Sequence, residues 1–239
     1  MKRILFIFVA LMLFAGIANA RTYALILGVS NYQDENSVQW TTASAKKFAE
    51  LMKKATKDVS ILTSRNVNTT NVMSKLNAIA KQAQKGDKIV LFYSGHGLEG
   101  GLYMFDGVLT YDEIISALSA SKATEKYCFI EACHSGSVAG SQPNSEKWQS
   151  KAKTNNIAFF TGCRPDESSY VDPIIGAGVF SQGLIKGLRG KADKNRDKQI
   201  SVLELFEYAY KDVVNRKNSQ QHPQLIAPKA MHNNIIMKW

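Results

Sequence analysis

The sequence predicts one α/β domain, in which a mainly parallel β-sheet carries helices on both faces. Short apolar segments that are typical of strands alternate with segments of helical spacing, and this order produces βαβ crossovers. Residues 87–93 have an unbroken apolar centre, as expected for a strand that is buried on both faces of a sheet. The 239 residues are enough for one domain with a sizeable core, and they contain no repeat of fixed period.

The elements of the N-terminal half follow from their periodicity. In residues 43–54, Ala45, Phe48 and Met52 fall on one helical face, and lysines fall on the other. A similar pattern predicts a second helix, which Gly86 ends. The predicted elements are, in order, a strand at 22–29, a helix at 43–54, a strand at 59–62, a helix at 72–83 and a strand at 87–93.

The C-terminal half continues the alternation of strands and helices. Thr110 with Glu113, and Ser201 with Glu204, have the spacing of capping boxes, so each pair predicts the start of a helix. Residues 137–155 are polar and lack periodicity, and they are predicted to form a mobile loop within the domain. The predicted elements are a helix at 110–118, strands at 126–132 and 156–161, and helices at 178–188 and 201–214.

The first 20 residues have the features of a signal peptide. Lys2 and Arg3 form a basic start, residues 4–18 carry no charge, and residues 18–20 (Ala-Asn-Ala) offer the small side chains that a signal peptidase accepts. A membrane anchor is the alternative, but this apolar segment is too short to span about 30 Å of hydrocarbon. We therefore expect an exported protein, periplasmic or extracellular, whose single domain covers residues 21–239.

Composition and charge exclude several classes of protein and partner. A chain with 45% hydrophobic and 21% charged residues is not a disordered chain, and three cysteines cannot form a disulfide-stapled scaffold. The net charge is +10, but the basic residues are scattered and are not interleaved with aromatic side chains. We therefore expect a solvated basic surface, with no nucleic-acid partner and no membrane contact in the mature form.

Two predicted strands end in reactive side chains that are followed by glycine. The strand at 87–93 leads into Ser94-Gly95-His96-Gly97, and the strand at 126–132 leads into Cys133-His134-Ser135-Gly136. Sites gather at the carboxyl ends of parallel strands, and a thiol beside an imidazole suits nucleophilic acyl transfer. The residues alone therefore favour a Cys–His hydrolase. The alternatives are a loop histidine without a role and a cysteine that packs as a small apolar residue.

These motifs resemble those of the caspase/metacaspase-like cysteine peptidases, the peptidase C14 family. The resemblance extends over most of the mature chain, through the segments YALILGVSNY, GDKIVLFYSGHG, EACHSG, TGCRPDESSY, GVFSQGLIKGLRGKAD and QHPQ. It implies the caspase-like (caspase–hemoglobinase) fold and a cysteine endopeptidase that acts on polypeptide substrates. Two rivals stay open, namely an inactive member that only binds peptides and a different Cys–His hydrolase such as an amidase or a transpeptidase.

The resemblance also implies the role of each site residue. Cys133 would be the nucleophile and His96 the general acid/base, and the backbone N–H groups of Gly97 and Cys133 would form the oxyanion hole. Such peptidases work largely as a Cys–His dyad, so no third carboxylate is expected. Strand alternation would turn His134 away from the side that Cys133 faces, which suggests a supporting role.

Metacaspase-type members cleave after Arg or Lys, and this chain departs from their pattern at two positions. Glu131 replaces the Asp that usually precedes the nucleophile by two residues, and Ser44 replaces the Asp of an Asp-Ala pair in the first helix. A basic preference would also allow self-cleavage in segment 137–155, although an uncut loop is the alternative. The predicted substrate-binding residues are Ser94, Glu131, Asp166 and Glu167.

Two weaker features remain. Asp193, Asn195, Asp197 and Glu204 have the oxygen-ligand spacing of an EF-hand loop, but Lys198 occupies the position of its turn glycine. No cofactor is required by the predicted chemistry, and Ca²⁺ is the one candidate ligand. The alternative is a polar turn before a capped helix.

Cys163 follows the strand at 156–161 and could approach Cys133. A disulfide between them would inactivate the enzyme, but packing roles for Cys163 and Cys128 are the favoured interpretation.

Overall fold

The computed structural model describes residues 20–33, 35–140, 143–216 and 220–238, so all but the last residue of the predicted signal peptide lies outside the described residues. The strands are β1 (Thr22–Gly28), β2 (Asp58–Thr63), β3 (Lys88–Ser94), β4 (Gly97–Leu98), β5 (Gly101–Met104), β6 (Gly107–Thr110), β7 (Glu125–Glu131), β8 (Ile157–Thr161), β9 (Val171–Asp172), β10 (Ala177–Gly178), β11 (Gln199–Ser201), β12 (Gln224–Ile226) and β13 (Ile235–Lys238). The helices are α1 (Thr41–Ala55), α2 (Thr69–Gln82), α3 (Tyr111–Ser119), α4 (Ser145–Thr154), α5 (Val179–Lys186) and α6 (Val202–Val214).

Six strands form the central sheet in the order β12-β8-β7-β3-β1-β2. The five strands from β8 to β2 are parallel to their neighbours, and only β12 at one edge is antiparallel. The prediction of a mainly parallel sheet is therefore confirmed. Because β3 and β7 are adjacent and in register, with Ser94 beside Glu131, their carboxyl ends lie side by side.

Helices cover both faces of the sheet, as predicted. Alternate residues of a strand point to opposite faces, so Leu25 and Leu27 of β1 join one core and Ala24 and Ile26 join the other. The first core contains buried side chains from α2, α3 and α4, and the second contains those from α1, α5 and α6. The central parts of β1, β3, β7 and β8 are apolar because both faces of these strands are buried.

The predicted helix starts are confirmed by the capping boxes. Thr110 accepts a hydrogen bond from the Glu113 backbone while the Glu113 side chain accepts from the Thr110 backbone, and Ser201 and Glu204 do the same at α6. Each box satisfies two N–H groups that a helix start otherwise leaves without a partner.

The prediction of a mobile loop at 137–155 is wrong. The segment contains the helix α4, whose Trp148 and Ala152 are buried against the sheet, with 5% and 1% of their surface exposed. These two apolar positions are four residues apart in an otherwise polar helix, which is too weak a pattern to predict it. Packing of Trp148 against Tyr111, with ring centroids 5.8 Å apart, supplies the stabilisation that the local sequence lacks.

Three small sheets, β4-β5-β6, β9-β10 and β11-β13, lie outside the central sheet, and the sequence did not predict them. Their strands have two to four residues, so they show no recognisable alternation. The first of these sheets follows His96, and the second precedes α5. Within the described ranges, no helix combines the length and the apolar character needed to cross a bilayer.

Candidate active site

A cavity of about 200 Å³ lies at the carboxyl ends of β3 and β7. His96 and Cys133 each follow their strand by two residues, and the structure brings both side chains to this cavity. The lining residues are Val38, Trp40, Thr41, Ser94, Gly95, His96, Glu131, Cys133, Ser169, Tyr170, Val171 and Gly178. A larger open groove beside α5 and α6 has no thiol or histidine in its lining.

Cys133 is the one partly exposed thiol of the three cysteines. It lies in a turn beyond β7, and its sulfur accepts a hydrogen bond from the Ser169 backbone N–H at 3.4 Å. Burial raises the pKa of the Cys163 thiol to about 11 and that of Cys128 well above its usual value, so both stay protonated. Only Cys133 therefore combines access to the cavity with the chemistry of a nucleophile.

The ring of His96 is oriented by a backbone carbonyl group. Its Nε2 lies 2.7 Å from the Asn36 carbonyl oxygen, which can only accept, so Nε2 carries the proton and Nδ1 stays available. The ring also packs on Tyr32, with centroids 4.7 Å apart. No sequence pattern pointed to Asn36. The Asn36 carbonyl orients the imidazole ring, as the carboxylate does in many catalytic triads.

The backbone of His96 is equally constrained. Its N–H donates to the Tyr32 hydroxyl at 2.6 Å, and its carbonyl oxygen accepts from the Tyr93 hydroxyl at 2.7 Å. A Cβ added at Gly95 would lie 2.7 Å from the Tyr32 hydroxyl, so only glycine fits between the two tyrosines. The histidine therefore leaves the strand along one defined path.

Gly97 and Cys133, the two residues expected to form the oxyanion hole, lie next to each other. A Cβ added at Gly97 would lie 2.8 Å from the Cβ of Ala132 and would also collide with the Cys133 carbonyl, so the ends of the two motifs pack backbone to backbone. Among the described residues, no group accepts a hydrogen bond from the Cys133 N–H. An N–H group that is held without a partner beside a nucleophile can stabilise a developing oxyanion.

Glu131 is one of the residues that line the cavity and is 4% exposed. Its carboxylate accepts from the backbone N–H groups of Phe180 at 3.0 Å and Ser181 at 3.2 Å, and from the Ser181 hydroxyl. Burial raises the pKa of Glu131 to about 7, although these hydrogen bonds oppose the shift. Ser44 lies close by, where its Oγ accepts from the Gly178 N–H at 3.0 Å.

Glu131 is the last residue of β7, so strand alternation cannot by itself relate it to Cys133 or His134. The backbone turns after the strand, and His134 has a left-handed φ of 55°. Glu131 and Cys133 nevertheless line the same cavity. His134 points elsewhere, because its Nδ1 lies 2.7 Å from the Pro165 carbonyl oxygen.

The other predicted substrate-binding residues divide into two groups. Ser94 lines the cavity, whereas Asp166 is exposed and Glu167 half-buried, and neither is among the lining residues. The Glu167 carboxylate is hydrogen-bonded to His222, whose Nδ1 lies 2.5 Å from Oε1. Partial burial opposes ionisation, but hydrogen bonds from Arg164 and His222 hold the pKa of Glu167 below its usual value. Glu167 thus links the loop after β8 to the segment that contains His222.

The predicted calcium segment forms a tight turn before α6. The Asp193 carboxylate accepts from the backbone N–H groups of Asp197 at 3.1 Å and Lys198 at 3.0 Å, and Glu204 is engaged in its capping box. Lys198 has a left-handed φ of 62°, the conformation for which EF-hand loops use glycine. No group of three or more His, Cys, Asp or Glu side chains in the described part of the chain is arranged to hold a metal. Calcium binding stays a prediction.

All three cysteines are free thiols. The Cys163 Sγ lies 3.2 Å from the Ala132 carbonyl oxygen and 3.3 Å from the Glu167 carbonyl oxygen, either of which can accept its one S–H proton. This side chain therefore packs beneath the turn that carries Cys133.

Comparisons with known proteins identify the family and the fold of the chain. The family model of the peptidase C14 caspase domain matches residues 21–233. A crystal structure of a protein from Geobacter sulfurreducens has a TM-score of 0.69 at 19% identity, over 89% of this chain and 97% of that chain. Caspase-1 from Spodoptera frugiperda has a TM-score of 0.64 at 16% identity, over 87% of each chain. No curated protein matches by sequence. At these identities, the two structures support the fold alone.

Proposed function

The chain belongs to the peptidase C14 family of caspase domains, and from this we propose that it is an exported cysteine endopeptidase that cleaves after Arg or Lys. Family membership itself indicates a cysteine peptidase that acts on polypeptides. The dyad assignment, the specificity and the export are our inferences. The observation that carries the proposal is that Cys133, the one partly exposed thiol, shares a cavity with the oriented ring of His96.

The arrangement supports a dyad mechanism. Nδ1 of His96 takes the thiol proton, and the Cys133 thiolate attacks the carbonyl carbon of the scissile bond. The tetrahedral oxyanion is stabilised by the N–H groups of Gly97 and Cys133. The imidazolium then protonates the leaving amine. In the second step, the same histidine acts as the general base for a water molecule, which attacks the thioester and releases the second product.

The basic preference is supported by the charges around the cavity. Glu131 is the one acidic residue among those that line it, and no Lys or Arg is among them. A buried carboxylate in the lining of this cavity, together with the apolar side chains of Val38 and Val171, favours a long cationic side chain over an anionic one. The N-terminus of α5 holds this carboxylate in place.

Fluorogenic peptides test the proposal. Peptides that end in Arg, Lys, Ala or Asp before the reporter are offered to the wild-type protein and to Cys133→Ala. We expect cleavage of the Arg and Lys peptides by the wild-type protein alone. A preference for Asp would contradict the specificity, and binding of the Arg peptide without cleavage would replace the enzyme by an inactive peptide-binding member.

Export is tested separately, by the N-terminus of the protein recovered from cell fractions. We expect a chain that begins at Arg21 outside the cytoplasm, because a peptidase would cut after the Ala-Asn-Ala sequence. A cytoplasmic chain that retains Met1 would contradict export and leave the peptidase proposal unaffected.

A further inference from the structure

The loop of residues 162–170, between β8 and β9, lies against the nucleophile. Near its end, the backbone N–H of Ser169 donates to the Cys133 sulfur at 3.4 Å. Ser169 and Tyr170 also line the cavity that holds Cys133 and His96. Any residue that fixes the end of this loop therefore fixes both a donor to the nucleophile and one wall of the cavity.

Gln221 fastens the loop at both ends. Its buried side chain donates from Nε2 to the Gly162 carbonyl oxygen at 2.7 Å and accepts at Oε1 from the Tyr170 N–H at 3.0 Å. Nε2 also lies 3.4 Å from the Ser169 hydroxyl. An amide suits this position because it carries both a donor and an acceptor. Since a buried polar group is costly without partners, the amide and the loop hold each other in place.

The next residue adds a second attachment. The His222 backbone N–H donates to the Glu167 carboxylate at 2.7 Å, beside the contact of its ring with the same carboxylate. The Glu167 carbonyl oxygen accepts in turn from the backbone N–H of His134 at 3.0 Å, directly after Cys133. The QHPQ segment, to which the dyad mechanism gives no role, thus reaches the nucleophile by two short chains of contacts.

We propose that Gln221 is a positioning residue for Cys133. By holding both ends of the loop, it keeps the Ser169 N–H directed at the sulfur and so keeps the sulfur oriented and reactive in the cavity. A hydrogen bond to the sulfur strengthens when the thiol loses its proton, because the acceptor is then charged. The proposal rests on the proposed function for its nucleophile, but it applies to any reaction of that thiol.

Alkylation by iodoacetamide, followed by intact mass at one neutral pH, tests the proposal. Cys128 and Cys163 are buried, so the first alkyl group reports on Cys133, and Cys133→Ala gives the background rate. Gln221→Met keeps the length of the side chain and removes its hydrogen bonds. We expect alkylation about fivefold slower than in the wild-type protein, the equivalent of about one hydrogen bond.

Gln182→Ala is the matched control. Gln182 is also buried. Its Nε2 donates to the Ala177 carbonyl oxygen at 3.0 Å and its Oε1 accepts from Arg216 at 3.4 Å, so its hydrogen bonds go to residues outside the 162–170 loop. We expect this variant to be alkylated at the wild-type rate. A wild-type rate in folded Gln221→Met would overturn the proposal. Equal slowing in Gln182→Ala would overturn it too, because the cause would then be a general loosening of the fold.

A second variant covers the case in which Gln221→Met shows no melting transition. His222→Ala removes only the contact of the ring with Glu167, and we expect alkylation about twofold slower. An unchanged rate in this variant would then count against the proposal. Iodoacetamide is not a peptide, so each result stands whether or not the protein cleaves peptides, and failure of the peptidase proposal is seen separately with the fluorogenic substrates.

Discussion

At the scale of single residues, the site depends on backbone groups as much as on side chains. The Asn36 carbonyl orients His96, the Ser169 N–H contacts Cys133, and the close approach of Gly97 to Cys133 leaves no room for a side chain. The carbonyl and the N–H are backbone groups that most residue types would offer, whereas the position of Gly97 requires glycine. Substitutions at Cys133 and His96 should therefore affect the chemistry more than the fold.

We expect Cys133→Ala to abolish peptide cleavage while the melting temperature changes little, since Cys133 is partly exposed. His96→Ala should lower kcat/KM by a comparable factor, because nucleophile and base act as a unit and their losses do not add. The double variant is the control, and it should be no worse than either single variant. Near-normal turnover by a single variant would contradict the dyad.

The raised pKa of Glu131 predicts a pH-dependent preference. With a pKa of about 7 in the folded protein, the carboxylate becomes charged as the pH rises through neutrality. The ratio of kcat/KM for an Arg peptide to that for an Ala peptide should therefore rise between about pH 6 and pH 8, and dividing by the Ala value cancels the titration of the dyad. In Glu131→Gln, the ratio should be flat and about tenfold or more lower at high pH. If the ratio rose as steeply with pH in this variant, Glu131 would not be the group that recognises the basic side chain.

The same shift has a consequence for stability. The folded state raises the pKa of this acid above its unfolded value, so between about pH 4.5 and pH 7 the folded chain holds the proton that the unfolded chain has released. The contribution of Glu131 to the free energy of unfolding thus falls as the pH rises through that window.

At the scale of elements, helix ends take part in both the site and the fold. The N-terminus of α5 binds the Glu131 carboxylate, and the capping box of Ser201, at the end of β11, starts α6. A helix N-terminus favours negative charge, which explains how a carboxylate is accommodated at a 4% exposed position. The helix α4 occupies residues 145–154 of the segment that was predicted to be a mobile loop. The lysines of this helix are therefore poor sites for self-cleavage while the helix stays folded.

The turn before α6 carries the calcium prediction. If Asp193, Asn195, Asp197 and Glu204 bind the ion, Ca²⁺ at a hundredfold excess over Kd should raise the free energy of unfolding by about 2.7 kcal/mol. Millimolar Ca²⁺ should then raise the melting temperature by mass action. Asp193→Ala should lose this response while its Mg²⁺ response stays unchanged. Glu204 is left intact because it caps α6. Equal melting temperatures with and without calcium in the wild-type protein would rule the site out.

At the scale of the whole molecule, the central sheet separates two apolar cores, and the site lies at the carboxyl ends of its strands. β3 contributes to both cores and ends two residues before His96, so the packing of this strand and the geometry of the site are linked. Leu91 and Tyr93 face one core, and Phe92 faces the other.

Phe92 offers a test of this arrangement. Its ring is fully buried and stacks on Phe48 of α1, with centroids 4.4 Å apart. Phe92→Ala should lower the free energy of unfolding by about 3–5 kcal/mol, measured by urea denaturation. Ile61→Ala, at a position that is 37% exposed on the edge strand β2, should lower it by well under about 1 kcal/mol. Equal losses in the two variants would mean that the core does not dominate stability.

The sequence by itself determined the parts of this protein that depend on local pattern. The apolar segments predicted the five parallel strands, helical spacing and capping boxes predicted every large helix except α4, and the glycine-flanked motifs predicted where Cys133 and His96 would meet. Each of these signals lies within about fifteen residues of chain, the range over which periodicity and capping act.

Only the tertiary structure decided which groups surround His96 and Cys133. Asn36 is 60 residues from His96, Gln221 is 51 residues from Tyr170, and Glu167 is 55 residues from His222, so no local pattern relates them. The same holds for Glu131, whose carboxylate finds its donors 49 and 50 residues away at α5. Such hydrogen bonds depend on how loops from distant parts of the chain pack at one edge of the sheet, and local periodicity and capping carry no information about that packing.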